Sequence, residues 1–410
     1  MPAQPVLGID RNPPSVIGLP RTLSPLETWG FGLISILVWI GLAPGMNTAL
    51  GLQAMWVLLP GTLVGILVSL QVKRLGEQWP EMSGGTPAYT ARLLKNYPIL
   101  GRYGAIAYFI SWSAIPPINA FILTGAIKDN LDPLGITCPE TLLRIGFTCI
   151  AYVVAFSGTR ALAILHLLFV LPAVGFLLVF CIQGLGWLAL SPASPGLFPS
   201  HWSSLSVVEW AKWYFIGGAF ICYGYETVAM FVADSRKPSH TLRCLSFMAW
   251  LMPIVSLGGT WVLIRLATDP KLGDSSFNNL LATAKSFWGP SASFLVTLLI
   301  ASSALLLCAT TVAVCPRILY QLSLDGHLSP LFAVGNREGV LGPSLVCTFI
   351  ISLLYLAWGD IHQIVVVSAA TWFVFFIIFH LALWLRRSRP EVRWPWWSLG
   401  FFVVEVIVLV

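Results

Sequence analysis

The sequence predicts an all-α polytopic membrane protein with about eleven transmembrane helices, on three observations. Of its 410 residues, 57% are hydrophobic and 10% charged, where soluble domains carry about 25% charged residues. Runs such as Trp29–Leu50, Ala161–Leu190 and Phe294–Cys315 are long enough to cross a bilayer, which takes about 20 apolar residues. The basic residues gather on alternate connections between such runs. A soluble globule of this composition, with mean hydropathy +0.82, would expose more apolar surface than a monomer tolerates. Secreted, disordered, coiled-coil and soluble-enzyme classes are excluded.

Residues 1–28 are polar, contain six prolines and lack the apolar core of a signal peptide, so they read as a cytoplasmic tail. Hydropathy then places helices 1 to 11 over 29–49, 52–72, 101–127, 141–157, 161–190, 210–233, 244–267, 289–315, 340–358, 361–385 and 395–410. With this count, 17 of the 23 Lys and Arg fall on the side of the N-terminus and 6 on the other. Positive charge stays cytoplasmic, which predicts a cytoplasmic N-terminus; the expected location is the cytoplasmic membrane. Trp29, Trp79, Trp187, Trp202, Trp210, Trp288, Trp394, Trp396 and Trp397 lie near predicted helix ends, where indole anchors at the headgroup layer. The eight cysteines lie mostly in apolar spans without metal-ligand spacing and read as small core residues.

Two spans carry helix-breaking clusters. Helix 1 holds Gly41-Leu42-Ala43-Pro44-Gly45-Met46-Asn47, and helix 6 holds Gly217-Gly218 and Phe220-Ile221-Cys222-Tyr223-Gly224-Tyr225-Glu226. Irregular backbone survives in lipid only where it lines a cavity, and breaks in matching positions of two halves point to a transporter site between inverted repeats. The repeats would be 29–190 (helices 1–5) and 210–385 (helices 6–10), with 395–410 an additional helix that stops inside an apolar run. The connections agree with inversion: Lys73–Leu100 is expected to be cytoplasmic and its counterpart Ala267–Trp288 external, both as loops. A half-helix starting near Gly45 would offer N–H groups to a substrate carboxylate. The unwound Phe220–Gly224 would offer carbonyls to its ammonium.

Glu226 is the sharpest single residue, because a carboxylate at mid-bilayer costs about 2.5–3.5 kcal/mol and is normally paired or functional. It is a candidate for proton coupling or gating. Ser302 and Ser303, midway along helix 8, are candidate hydroxyl ligands for a sodium ion. His166 and His380 read as hydrogen-bonded packing residues, and Glu405 is given no role. There is no nucleotide-binding glycine loop, HExxH or GxSxG, so neither an enzyme nor a cofactor is expected.

Three segments resemble the amino acid–polyamine–organocation permeases. Phe220–Pro238 (FICYGYETVAMFVADSRKP) is similar to their aromatic-Gly-aromatic-Glu break, Pro80–Tyr89 (PEMSGGTPAY) to their Ser-Gly-Gly segment, and Pro316–Pro330 (PRILYQLSLDGHLSP) to their signature after helix 8. The resemblance spans about residues 25–385. It implies a leucine-transporter-like fold of five-plus-five inverted repeats, with the substrate carboxylate at the helix 1 break and the amine at the Phe220–Tyr223 carbonyls. Helix 5 lacks the lysine that some members use as proton site, which leaves Glu226 or an ion as driver.

The expected function is secondary active transport of an amino acid or related amine by alternating access across a lipid bilayer. A proton or sodium ion would couple it, and no nucleic acid would be bound. An alternative reading is an amino-acid-sensing membrane module of a signalling protein whose output domain follows Val410.

Overall fold

A computed structural model describes residues 19–218, 224–336, 339–393 and 395–410. Among the described residues, helix occupies every expected span, and the only strand-like contact is a single bridge between Leu23 and Ser235. Six stretches are long and apolar enough to cross a membrane, among them Pro25–Gln78, Ser276–Leu324 and Ile361–Leu385.

Helix 1 starts earlier than hydropathy alone suggests. Ser24 caps it: the Glu27 N–H donates to Ser24 Oγ (3.3 Å), Ser24 N–H donates to Glu27 Oε2 (2.6 Å), and Pro25 fills the first turn. The helix runs through Pro25–Leu33, tightens to 3₁₀ geometry over Ile34–Leu37, and continues as Val38–Leu50. The expected break at Gly41–Asn47 is therefore not where the helix deforms. Pro44 removes one N–H, which strips the Ile40 carbonyl of its partner without unwinding the chain. The half-helix start proposed at Gly45 is replaced by unbroken α-helix, because bilayer burial penalises every further backbone group left unpaired.

Helix 2 is Ala54–Gln78. The connection expected as loop contains a helix, Gly85–Leu93, entered through Gly84 (φ +83°) and Gly85 (φ +52°). Helix 3 is jointed, as Pro98–Ser113 and Ile115–Leu131, since Pro116 and Pro117 cannot donate to the preceding turn. Helix 4 is Glu140–Phe156, and helix 5 is Thr159–Val170 and Phe176–Leu190 around a π turn containing Pro172. Helix 6 is Val207–Trp213 followed by a π turn, Tyr214–Gly218, and resumes as a 3₁₀ helix, Tyr225–Phe231. Helix 7 is Pro238–Pro253 and Thr260–Leu266 around a π turn.

The second expected loop likewise contains an amphipathic helix, Ser276–Trp288. Helix 8, Ala292–Leu324, is 33 residues long and continues past the apolar run because Arg317 is neutralised within it. Helices 9, 10 and 11 are Gly342–Trp358, Ile361–Leu385 and Pro395–Leu409. Helix 8 is the centre of the bundle and touches helices 3, 5 and 9 as well as the 3₁₀ turn of helix 1. Helix 7 packs on helix 2, and helix 10 lies between the first half of helix 3 and helix 11.

Candidate functional site

Helices 1, 3, 6 and 10 and the segment Asp274–Phe277 enclose a cavity of about 660 Å³ at the end of the bundle opposite the N-terminus. Gly41, Leu42 and Gly45 line it, as do Phe121, Ile122, Trp213 and Gly217. Its ionisable lining groups are Asp129, Asp274 and His362, with Ser275 Oγ donating to Asp129 Oδ2 at 2.7 Å. Gly41, Leu42 and Ile122 also line a deeper pocket of about 90 Å³ that reaches Asn119, Ser303 and Leu307 at mid-bundle. A cavity of the first size holds a small metabolite, and it narrows inward onto apolar and hydroxyl groups.

The two helix 1 glycines at the cavity differ in the space around them. A Cβ on Gly41 would come within 2.7 Å of Ile122 Cδ1, whereas one on Gly45 would meet nothing within 4 Å and would project into the cavity. Of the five helix 1 residues expected at the site, Gly41, Leu42 and Gly45 face the cavity, and Ala43 and Pro44 are buried in the core.

Phe220, Ile221, Cys222 and Tyr223 lie outside the described residues, which resume at Gly224. Gly224 adopts φ +90°, and its N–H donates to Glu226 Oε2 at 3.0 Å. The Tyr108 hydroxyl, from helix 3, donates to Glu226 Oε1 at 3.0 Å. Glu226, in the first turn of the 3₁₀ helix Tyr225–Phe231, thus has both oxygens engaged, one by the N–H of the N-cap residue Gly224, and it is 1% exposed. Trp372 of helix 10 stacks on Tyr108, with ring centroids 5.3 Å apart. Thr227 Oγ1 donates to the Gly224 carbonyl and accepts from Ser35 Oγ (3.5 Å), so the two distorted stretches, Ile34–Leu37 and Tyr225–Phe231, meet side by side.

Ser303 lines the deeper pocket while its hydroxyl donates to the Leu299 carbonyl at 2.6 Å. Ser302 Oγ is buried without a hydrogen-bond partner.

The N-terminal side is closed by contacts that motif reading did not assign. Arg317 Nε donates to Asp234 Oδ2 at 2.9 Å, and Nη2 donates to the same oxygen and to Thr159 Oγ1 (3.1 Å). The guanidinium also lies over the Phe231 ring, 4.9 Å from its centroid. Both charged side chains are buried. Beneath them Leu23 N–H donates to the Asp234 carbonyl (3.1 Å) and Arg236 N–H donates to the Leu23 carbonyl (2.9 Å), which straps the segment before helix 1 onto the end of helix 6. Asp234 and Arg317 both sit in the quoted motifs, but nothing in their spacing says that they meet across 83 positions.

A family model described as amino acid permease matches residues 26–410. The chain belongs to the amino acid permease family. A probable amino-acid permease of Schizosaccharomyces pombe is 26% identical over 211 residues, which cover 48% of this chain and 42% of that relative, so the match spans less than half of its length. Among solved structures, Mhp1, a nucleobase-cation-symport-1 family transporter in a closed conformation with bromovinylhydantoin bound, has TM-score 0.54 at 13% identity, covering 96% of this chain and 94% of that one. A mutant of the manganese transporter of Eremococcus coleocola has TM-score 0.53 at 13% identity, covering 94% and 84%. These likenesses give the permease a leucine-transporter-like fold, as the resemblance implied. Its long apolar helices make it a multi-pass membrane protein.

Proposed function

We propose that the permease is a secondary active carrier of an amino acid or related amine. It works by alternating access in the cytoplasmic membrane, with its N-terminus cytoplasmic and repeats at 29–190 and 210–385. One observation carries this reading: a cavity of about 660 Å³ leads from one end to mid-bundle while the other end is closed by the Arg317–Asp234 pair and the Leu23 strap. That is the arrangement of a carrier loaded from one side, here the external one, before it rocks open to the other.

The substrate would sit in the deeper pocket beside Ile40, Gly41 and Leu42 of helix 1. Its ammonium would face the Phe220–Gly224 backbone and the Ile40 carbonyl that Pro44 leaves free. With helix 1 unbroken at Gly45, a carboxylate would rely on the N–H groups around the helix 6 break rather than on a helix 1 N-terminus. Asp129 and Asp274 at the mouth would draw cationic groups toward it. A proton on Glu226 or a sodium ion at Ser302 and Ser303 would drive uptake, with no other cofactor and no chemistry on the substrate.

The test is uptake of a labelled amino-acid and amine panel into proteoliposomes under imposed proton and sodium gradients. Accumulation of one class that follows one gradient is the expected result. Binding without uptake under either gradient would overturn the carrier reading in favour of a sensor. Glu226→Gln should remove the pH dependence of uptake if Glu226 carries the proton, and an unchanged profile would end that assignment.

A further inference from the structure

We propose that His380 and Glu405 form a proton-binding site between helices 10 and 11, apart from the substrate pocket, with His380 Nε2 the atom that gains and loses the proton. The two side chains are fully buried, and Nδ1 lies 2.8 Å from Glu405 Oε2. The imidazole is enclosed by the rings of Phe376, Phe379, Trp397 and Phe401, at centroid distances of 5.3 to 6.2 Å. Its second nitrogen, Nε2, has no hydrogen-bond partner.

Ionisable side chains inside a membrane are costly and are retained in pairs or for function. Here the chemistry divides cleanly between the two ring nitrogens. In the tautomer that carries its proton on Nδ1, that proton is committed to the Glu405 carboxylate. Nε2 takes its proton from hydronium: one N–H bond forms as one O–H bond breaks and a water molecule is released, and no other bond in the site changes. With that proton the pair is an imidazolium facing a carboxylate and is neutral overall. Without it the pair carries one buried negative charge.

Among the described residues, no other charged group faces the imidazole. From helix 3, Gly104 packs on Ile378, and Tyr108 contacts Phe375 and Trp372 with its hydroxyl spent on Glu226. Tyr214, beside the helix 6 break, meets Phe373. From the segment Gly85–Leu93, Arg92 is exposed and Tyr89 contacts Trp79. Arg386, at the end of helix 10, donates to the Leu93 carbonyl.

The site bears on transport through helix 10. That helix lines the large cavity with Ile361, His362, Val365 and Val366, and its Trp372 stacks on the tyrosine that holds Glu226. Protonation at His380 therefore changes how helix 11 grips a helix that touches both the entrance and the helix 6 break. Only this consequence rests on the carrier reading.

The experiment follows the imidazole ¹⁵N resonances of the full chain, labelled at histidine, in detergent micelles between about pH 5 and 8. A water-soluble paramagnetic agent bleaches the exposed histidines and leaves the two buried ones, His166 and His380. One buried Nε2 should titrate reversibly, and Glu405→Gln should lower its proton affinity by about tenfold, one pH unit. Glu405→Asp, which withdraws the carboxylate but keeps its charge, should produce a smaller loss and serves if the glutamine variant does not fold. Two buried imidazoles that stay silent over this range, or a titration unmoved by both variants, would overturn the site. A Glu405-dependent titration upholds it whatever the uptake assay shows.

Discussion

The Arg317–Asp234 pair ties helix 8 to the end of helix 6 inside a nearly dry setting. Removing one partner of a buried pair strands the other charge, at about 3–5 kcal/mol. Arg317→Ala should therefore lower thermal stability in detergent by that order and let thiol reagents reach the N-terminal side, and melting curves with cysteine labelling read both effects. Asp234 Oδ1 has no partner among the described residues, so Asp234→Asn, which keeps one oxygen for the guanidinium, should cost less. Tyr108→Phe removes one of the two hydrogen bonds to Glu226, a bond to a charged group worth about 1.5–3 kcal/mol if the carboxylate is ionised. If Glu226 carries the proton, the pH profile of uptake should move to higher pH, since the ionised form loses support. An unmoved profile would mean that Tyr108 does not tune it.

At the scale of elements, glycines separate packing from function. A Cβ on Gly85, at φ +52°, would meet the Met230 backbone N at 2.8 Å, where the short helix after helix 2 presses on the end of helix 6. Gly85→Ala should destabilise the fold by at least the 1–2 kcal/mol or so of left-handed strain, while Gly125→Ala, with open space around it, should not. Gly45→Val should leave the melting temperature near that of the wild type and still weaken substrate binding, because the side chain enters the cavity and touches no core residue. A fall in stability equal to that of Gly85→Ala would place Gly45 in the packing instead.

The helices themselves were legible, because twenty apolar residues have few other uses. Their irregularities were legible only in part. Beside the helix 6 cluster the described residues are irregular, a π turn over Tyr214–Gly218 and a 3₁₀ helix over Tyr225–Phe231, and glycine at 224 takes a φ that other residues resist. The helix 1 cluster misled: proline inside a helix and a break look alike in sequence, and what decides between them is whether neighbouring helices satisfy the freed carbonyl. Helices Gly85–Leu93 and Ser276–Trp288 escaped notice because hydropathy sums blur short amphipathic segments into loops. Tyr108, Asp234, Arg317 and the His380–Glu405 pair escaped for a different reason. Each matters through a partner on another helix, and a single chain read in order does not show pairing.

For the whole molecule, the contrast between its two ends makes a prediction about accessibility. Cysteines placed at Thr48 or Val366, which line the cavity, should react with a membrane-impermeant thiol reagent applied opposite the N-terminus, while one at Thr159, beside the Arg317 cluster, should stay protected from either face. Addition of substrate under a driving gradient should slow the first reaction and speed the second. Labelling that is equal at both ends and blind to substrate would describe a pore rather than a carrier.

The strap at Leu23 also has a practical use. Because its two backbone hydrogen bonds hold the lead-in to helix 1 against Asp234 and Arg236, any probe fused ahead of Pro20 is moored directly to the closed end of the bundle, the door of the proposed carrier. A fluorophore attached there, paired with one on the connection after helix 8, would turn each opening into a distance change that can be counted molecule by molecule. The same mooring warns against placing a bulky affinity tag directly ahead of this segment, since the tag would press on the door it was meant to help purify.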